Sequence, residues 1–435
     1  MDGNLGRLTP IAAPMTDTAR RQGWIVAAPG LRCYHCGVGA ALPTRAVNLQ
    51  QARAQHGDLV DRFLPALMRS DPLADDVAHD FATLGRTQSR QLLDVVLRDG
   101  IGAAPDAPSS LRALFSQLDH VPVWVDWPAI GRGSDVLFRT GLFGGTVLGA
   151  KSLVTGYCSP GGNKPLVFSG QLEHRKRIGY RLAETCRFVA DVCERGGMRR
   201  FGPGFATTVR VRIMHATVRR LIAESGKYDE QAWGVAINQH DMVGTTMLFS
   251  LAFLEGVRAF GFRFTAQEVD DFLHLWRYNG WLIGVEPELL PTNEAAAARI
   301  SDLIAMTQGQ PDDDARMLVR SFIESPSYAA AEDNPKAQAL ARRHVALGFG
   351  FTRSLLGDEM ADALELPRTA TRLVLPGIRK VLSRVDRVGR HLPGYDRQLA
   401  RAGRRYWQQT IELGLAGRLA QFMPPAQLDG LRVPG

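Results

Sequence analysis

Apolar residues recur every three or four positions along most of this chain, the period of a helix with one buried face. The stretches 52–69, 72–99, 109–119, 174–195, 206–225, 240–259, 265–280, 291–307, 312–324, 335–356 and 397–421 all carry that pattern. Within residues 52–68 the stripe is Leu59, Val60, Phe63, Leu64, Leu67 and Met68. No long run alternates apolar and polar residues. The short β-prone runs at 123–125 and 373–375 read as extended linkers. Glycine and proline mark the breaks. Residues 156–163 form a loop, and Gly196-Gly197 and Gly202-Pro203-Gly204 separate two helical stretches. Pro376-Gly377 and Pro393-Gly394 flank a basic helix. The pattern predicts an all-α fold: one large helical domain over 48–425, its motif core at 150–291, preceded by an extended proline-bearing arm, 1–47.

Composition narrows the class. The 435 residues are 45% hydrophobic, and the mean hydropathy of −0.11 is that of a water-soluble globular chain. No run of about 18 apolar residues is present, so no transmembrane helix is expected. The apolar stretch 23–28 is too short for an export signal, so the expected location is cytoplasmic, or outside the cell if a leader has been removed. The net charge is +8. Its arginines are dispersed through amphipathic stretches rather than clustered, so no nucleic-acid partner is expected. The five cysteines are an odd number and read as reduced thiols. Cys33-Tyr34-His35-Cys36 has no second pair to complete a zinc site and lacks the following histidine of a covalent haem motif.

Two helical stretches carry candidate chemistry. Arg212, His215 and Arg219 fall at i, i+3 and i+7 and so share one helix side. Thirty residues earlier, Arg181, Glu184 and Thr185 fall at i, i+3 and i+4. Polar groups aligned on apolar helices need partners, because burying unpaired charge is costly. A haem would supply them: iron for the imidazole and propionates for arginine forks. Opposite the ring, Arg181 and Thr185 would hydrogen-bond dioxygen, and Glu184 would take an allylic proton. The same arginines suit a set of salt bridges or a solvated face equally well.

The ordered motifs reach further. They run Asp71-Pro72-Leu73-Ala74-Asp75, Gly156-Tyr157, Ser159-Pro160, Arg181-x-x-x-Thr185 and Met214-His215-Ala216-x-Val218-Arg219. Then come Trp233-Gly234-Val235-Ala236-Ile237-Asn238-Gln239-His240-Asp241, Phe249-Ser250, Trp276-Arg277-Tyr278-x-Gly280, Leu289-Leu290-Pro291 and Gly357-Asp358-Glu359-Met360-Ala361-Asp362-Ala363-Leu364. Over roughly 70–365 the chain resembles the latex clearing protein and ER-bound oxygenase family. The resemblance implies a haem b in a globin-like helical core and oxidative cleavage of polyisoprene C=C bonds to an aldehyde and a ketone. It implies His215 as the iron ligand, Arg212 and Arg219 flanking it in the cofactor-binding set, and Arg181 and Thr185 in the distal pocket. Glu184 stands where some members carry a lysine. The expected partners are a hydrophobic isoprenoid and dioxygen. A smaller terpenoid or lipid substrate, a peroxidase cycle and a non-catalytic gas-binding role are the alternatives. Asn238 or Asp241 is expected to cap the helix that comes next. Trp276, Tyr278 and Trp281 are expected in the core. Phe188, Met247, Leu248 and Leu251 suit either a channel wall or ordinary packing.

Overall fold

The apolar period resolves into packed helices, and every regular element among the described residues is one. The computed structural model describes residues 41–168, 175–330, 333–418, 420 and 422. Cys33, Cys36 and most of the N-terminal arm lie outside them. Eleven helices build the candidate site and the surfaces around it: α1 (Pro72–Leu84), α2 (Trp127–Val147), α3 (Arg175–Val192), α4 (Pro203–Glu224), α5 (Gln239–Phe249), α6 (Leu251–Phe260), α7 (Ala266–Leu282), α8 (Asp313–Ala329), α9 (Pro335–Leu356), α10 (Val374–Gly389) and α11 (Tyr395–Leu415).

Helix boundaries obey local chemistry. The stretch 72–99 is two helices, because Gly85 takes φ 81° after α1. The stretch 240–259 is also two, split at Ser250 (φ −106°, ψ −85°). By length and composition alone Gln239–Phe260 would suit a bilayer, contrary to the expectation that no such stretch exists. In the fold it is broken into α5 and α6 and packs among neighbouring helices. Residues 373–375 are helical and lead into α10, not an extended linker.

One long helix escaped the periodicity altogether. α2 starts where Asp126 accepts a hydrogen bond from the Ala129 amide at 3.1 Å. Its glycines hide the apolar stripe, yet they set how closely its neighbours come. A Cβ on Gly133 would overlap the Asp271 carbonyl of α7. On α11, a Cβ on Gly403 would overlap the Phe138 carbonyl of α2. Helix α2 thus lies backbone to backbone with two partners.

The largest buried cluster forms around these contacts. Trp276, Tyr278 and Trp281 of α7 are all buried, as expected. Phe249 stacks on Trp276 with ring centroids 5.2 Å apart, and Phe188 of α3 leans on the same indole at 6.3 Å.

Candidate functional site

α3 and α4 are consecutive and cross beside the loop that joins them. A Cβ on Gly204 would sit 2.9 Å from the Val192 Cα. One turn on, the Thr207 hydroxyl donates to Asp191 at 2.9 Å. Each helix runs away from the loop from there. Eleven residues separate Val192 from Arg181, and eleven separate Gly204 from His215. At about 1.5 Å per residue both lie about 16 Å from the crossing. Eleven residues is close to three full turns, so each side chain also shares the face of its crossing residue. By spacing, Arg181, Thr185 and Val192 share one stripe of α3, and Gly204, Val211 and His215 share one stripe of α4. Gly414 of α11 packs on Ala183, where a Cβ would come within 2.7 Å. Arg181 and Thr185 sit two residues either side of Ala183 and so point away from α11.

His215 is half-buried. It takes part in no hydrogen bond among the described residues, and its Nδ1 is buried without a partner. Burial, together with the Arg219 charge, pulls its pKa down to about 4, with Asp71 opposing. The imidazole is therefore neutral at pH 7.

Arg212 and Arg219 depart from the expectation that they hold propionates. The Arg212 fork closes on Asp71, with Nε to Oδ2 at 2.7 Å and Nη2 to Oδ1 at 2.9 Å. Its Nη1 donates to Gln117 at 3.0 Å. Arg219 pairs with Asp75 and donates to the carbonyls of Ala236 and Ile237, each at 3.1 Å. Ile237 holds φ 52°, a strained conformation for a β-branched residue. The physical reason is proximity: Ala74 and Ala78 of α1 pack on Ala216 of α4, and such small side chains bring the α1 carboxylates within reach. The two arginines fasten α4 to α1 about one turn before and one turn after His215.

On α3, Arg181 Nη1 donates to Glu184 Oε2 at 2.7 Å, and Thr185 Oγ1 donates to the Arg181 carbonyl at 3.2 Å. Glu184 is buried, and its Oε1 accepts from the Phe422 amide at 3.4 Å. Arg181 and Glu184 are thus paired side chain to side chain, and Thr185 is tied to the Arg181 backbone.

A second polar centre went unread in the sequence. Asn238, not Asp241, caps α5, accepting from the Asp241 amide at 2.9 Å. Asp241 instead receives Arg45 on both oxygens, at 2.8 and 2.7 Å. His240 Nδ1 lies 3.2 Å from Asp241 Oδ1. Burial would raise the Asp241 carboxyl, but the Arg45 charge and the contacts with His240 hold it at about 2. Both residues line a cavity of about 320 Å³, whose apolar wall includes Met247, Leu248 and Leu251. Phe188 belongs to the Trp276 cluster instead. The signal for Arg45 was absent, because it lies outside any periodic stretch.

The family described as "ER-bound oxygenase mpaB/B'/Rubber oxygenase, catalytic domain" matches residues 138–388, more than half of the chain. The chain belongs to this oxygenase family. All six site residues of α3 and α4 fall inside the match. Among curated proteins, the "Rubber oxygenase" of Streptomyces sp. (strain K30) is 25% identical over 193 residues, 44% of this chain and 46% of that protein. The match thus spans just under half of the relative's length. The solved "Structure of Latex Clearing Protein LCP in the closed state" superposes with a TM-score of 0.62 at 21% identity, covering 79% of this chain and 91% of that one. The mpaB/rubber oxygenase family implies haem, and the proximal side of the site fits it. An iron ligand must be a neutral imidazole with a nitrogen to spare, and His215 is both neutral and, among the described residues, free of hydrogen bonds.

Proposed function

We propose that this chain is a haem b-dependent dioxygenase that cleaves the C=C bonds of poly(cis-1,4-isoprene), with the hydrophobic isoprenoid and dioxygen as substrates. One observation carries the reading: a His215 that is neutral at pH 7 and, among the described residues, free of hydrogen bonds, in a chain of this oxygenase family. His215 would hold the iron. When bound, the haem supplies the redox chemistry with dioxygen.

The chain's own residues do the rest. The Asp71 and Asp75 ion pairs fix the rotation of α4 and so aim the imidazole; Arg212 and Arg219 are positioning residues. Arg181 and Thr185 offer N–H and O–H donors to the reacting oxygen, where charge develops. Glu184 takes the allylic proton and returns it to the product as the C=C bond breaks, which requires its contact with Arg181 to loosen. Both atoms of dioxygen end in the two carbonyls formed, so no external reductant is consumed.

The test combines spectrum and product. Protein expressed with haem supplementation should show a Soret band that His215→Ala abolishes or shifts. It should consume dioxygen with polyisoprene and release aldehyde- and ketone-ended fragments, smaller terpenoids serving as competing substrates. Arg181→Ala should lower kcat by roughly 100-fold or more, as for loss of one oxyanion donor. A colourless wild type, or a His215→Ala variant with an unchanged spectrum, defeats the haem reading. Intact haem with no carbonyl product from any isoprenoid defeats the oxygenase reading alone.

A further inference from the structure

α10 is an amphipathic helix whose outward apolar stripe has no protein cover. Val374, Val381, Val385 and Val388 recur at intervals of seven, four and three residues, so they lie in one row of α10, and Leu392 follows in the turn beyond it. Val381, Val385, Val388 and Leu392 are each at least half exposed. The inward side carries the buried residues Leu375, Asp386 and Gly389. It docks closely: a Cβ on Gly261 would lie 2.9 Å from the Arg379 carbonyl. Asp386 accepts from the Arg263 amide at 2.9 Å. The stripe is therefore presented by a well-seated helix.

Charge says what covers it. Lys380, Arg384 and Arg387 run along one flank of the stripe and are exposed. None of them joins an ion pair among the described residues, although arginines elsewhere in the fold repeatedly do. Asp386, the helix's single acidic residue, is turned inward. An exposed apolar row beside unpaired cations matches a surface that is anionic outside and apolar just beneath. A second copy docked by two-fold symmetry would set this cationic flank close to its own image. A nucleic acid would use the cations and leave the valines wet.

We propose that α10 is a membrane-docking helix that lies in the interface of an anionic lipid bilayer, valines down and Lys380, Arg384 and Arg387 against the headgroups. This surface is independent of the catalytic reading.

The full chain should sediment with vesicles of phosphatidylcholine containing one third phosphatidylglycerol, and much less with phosphatidylcholine alone. Each cation near such a surface is worth about fivefold in partitioning, so Lys380→Gln/Arg384→Gln/Arg387→Gln should weaken binding about a hundredfold. Val385→Asp/Val388→Asp should weaken it at least about tenfold. All these positions are exposed, so melting temperatures should stay within about 1 °C, which separates lost docking from misfolding. The proposal is overturned if wild type ignores anionic vesicles, or if the valine variant binds as wild type does. It is also overturned if the same valine substitutions dissolve a dimer seen by sedimentation, or if both variants lose affinity for a DNA duplex in parallel.

Discussion

Asp71→Asn tests whether Arg212 belongs to a structural ion pair. Both side chains are nearly sealed, at 2% exposure for Arg212 and 6% for Asp71. Removing one partner of such a pair strands a buried charge and costs about 3–5 kcal/mol. Unfolding entropy near the transition is about 2.1 cal/mol/K per residue, which over the roughly 370 described residues gives about 0.8 kcal/mol/K. The expected fall in Tm is therefore about 4–6 °C. The measurement is a thermal scan of haem-free protein, because a bound cofactor adds its own stabilisation. The double variant Asp71→Leu/Arg212→Met removes both charges at similar volume and should recover most of the loss. A fall of under about 1 °C for Asp71→Asn, or a double variant as poor as the sum of the singles, would refute the buried pair. A stable Arg212→Met that only loses haem would restore the propionate role expected from the sequence.

Gly403→Ala should be among the most damaging small changes, costing about 3 kcal/mol or more, because its Cβ meets the Phe138 carbonyl rather than a movable side chain. Urea unfolding checks it, and an unchanged midpoint would show that the α2–α11 contact yields easily. Asn238→Ala removes the cap of α5 and a fully buried amide that also donates to Val235 at 2.8 Å; a loss of about 2 kcal/mol is expected, read as a Tm fall of about 2–3 °C. Acid should act through Asp241. Its folded carboxyl, held at about 2, lies below its usual 3.8. The stabilisation from ionising it is thus complete above about pH 4 and fades as pH falls toward 2. Wild type should exceed Asp241→Asn by on the order of 2 kcal/mol at pH 5, and the gap should close near pH 2. A gap that does not change with pH would contradict it.

Legibility varied with the kind of force involved. Helices with a plain apolar stripe, such as α7 and α9, were readable because burial period alone defines them. α2 was not, because its glycines encode close approach rather than burial, and close approach has no period. That Arg181 and Thr185 share the stripe of Val192, and His215 that of Gly204, follows from spacing, but the crossing of the two helices there is tertiary. The arginines were legible as charges needing partners and illegible as to which partners. The clue lay in Asp71 and Asp75, two carboxylates one turn apart, which suit two guanidinia two turns apart. Arg45 and Asp241 meet across 196 residues with no local signal on the arginine side.

The clamp on α4 has a consequence for the order in which the protein assembles. Asp71 and Arg212 are 141 residues apart in the chain, and closing so long a loop is slow compared with forming either helix. Until that closure, α4 is free to roll, and the imidazole it carries points nowhere in particular. On the proposed reading, the site that would hold haem is therefore completed by a segment far upstream, and a newly made chain would gain no cofactor until α1 has come home.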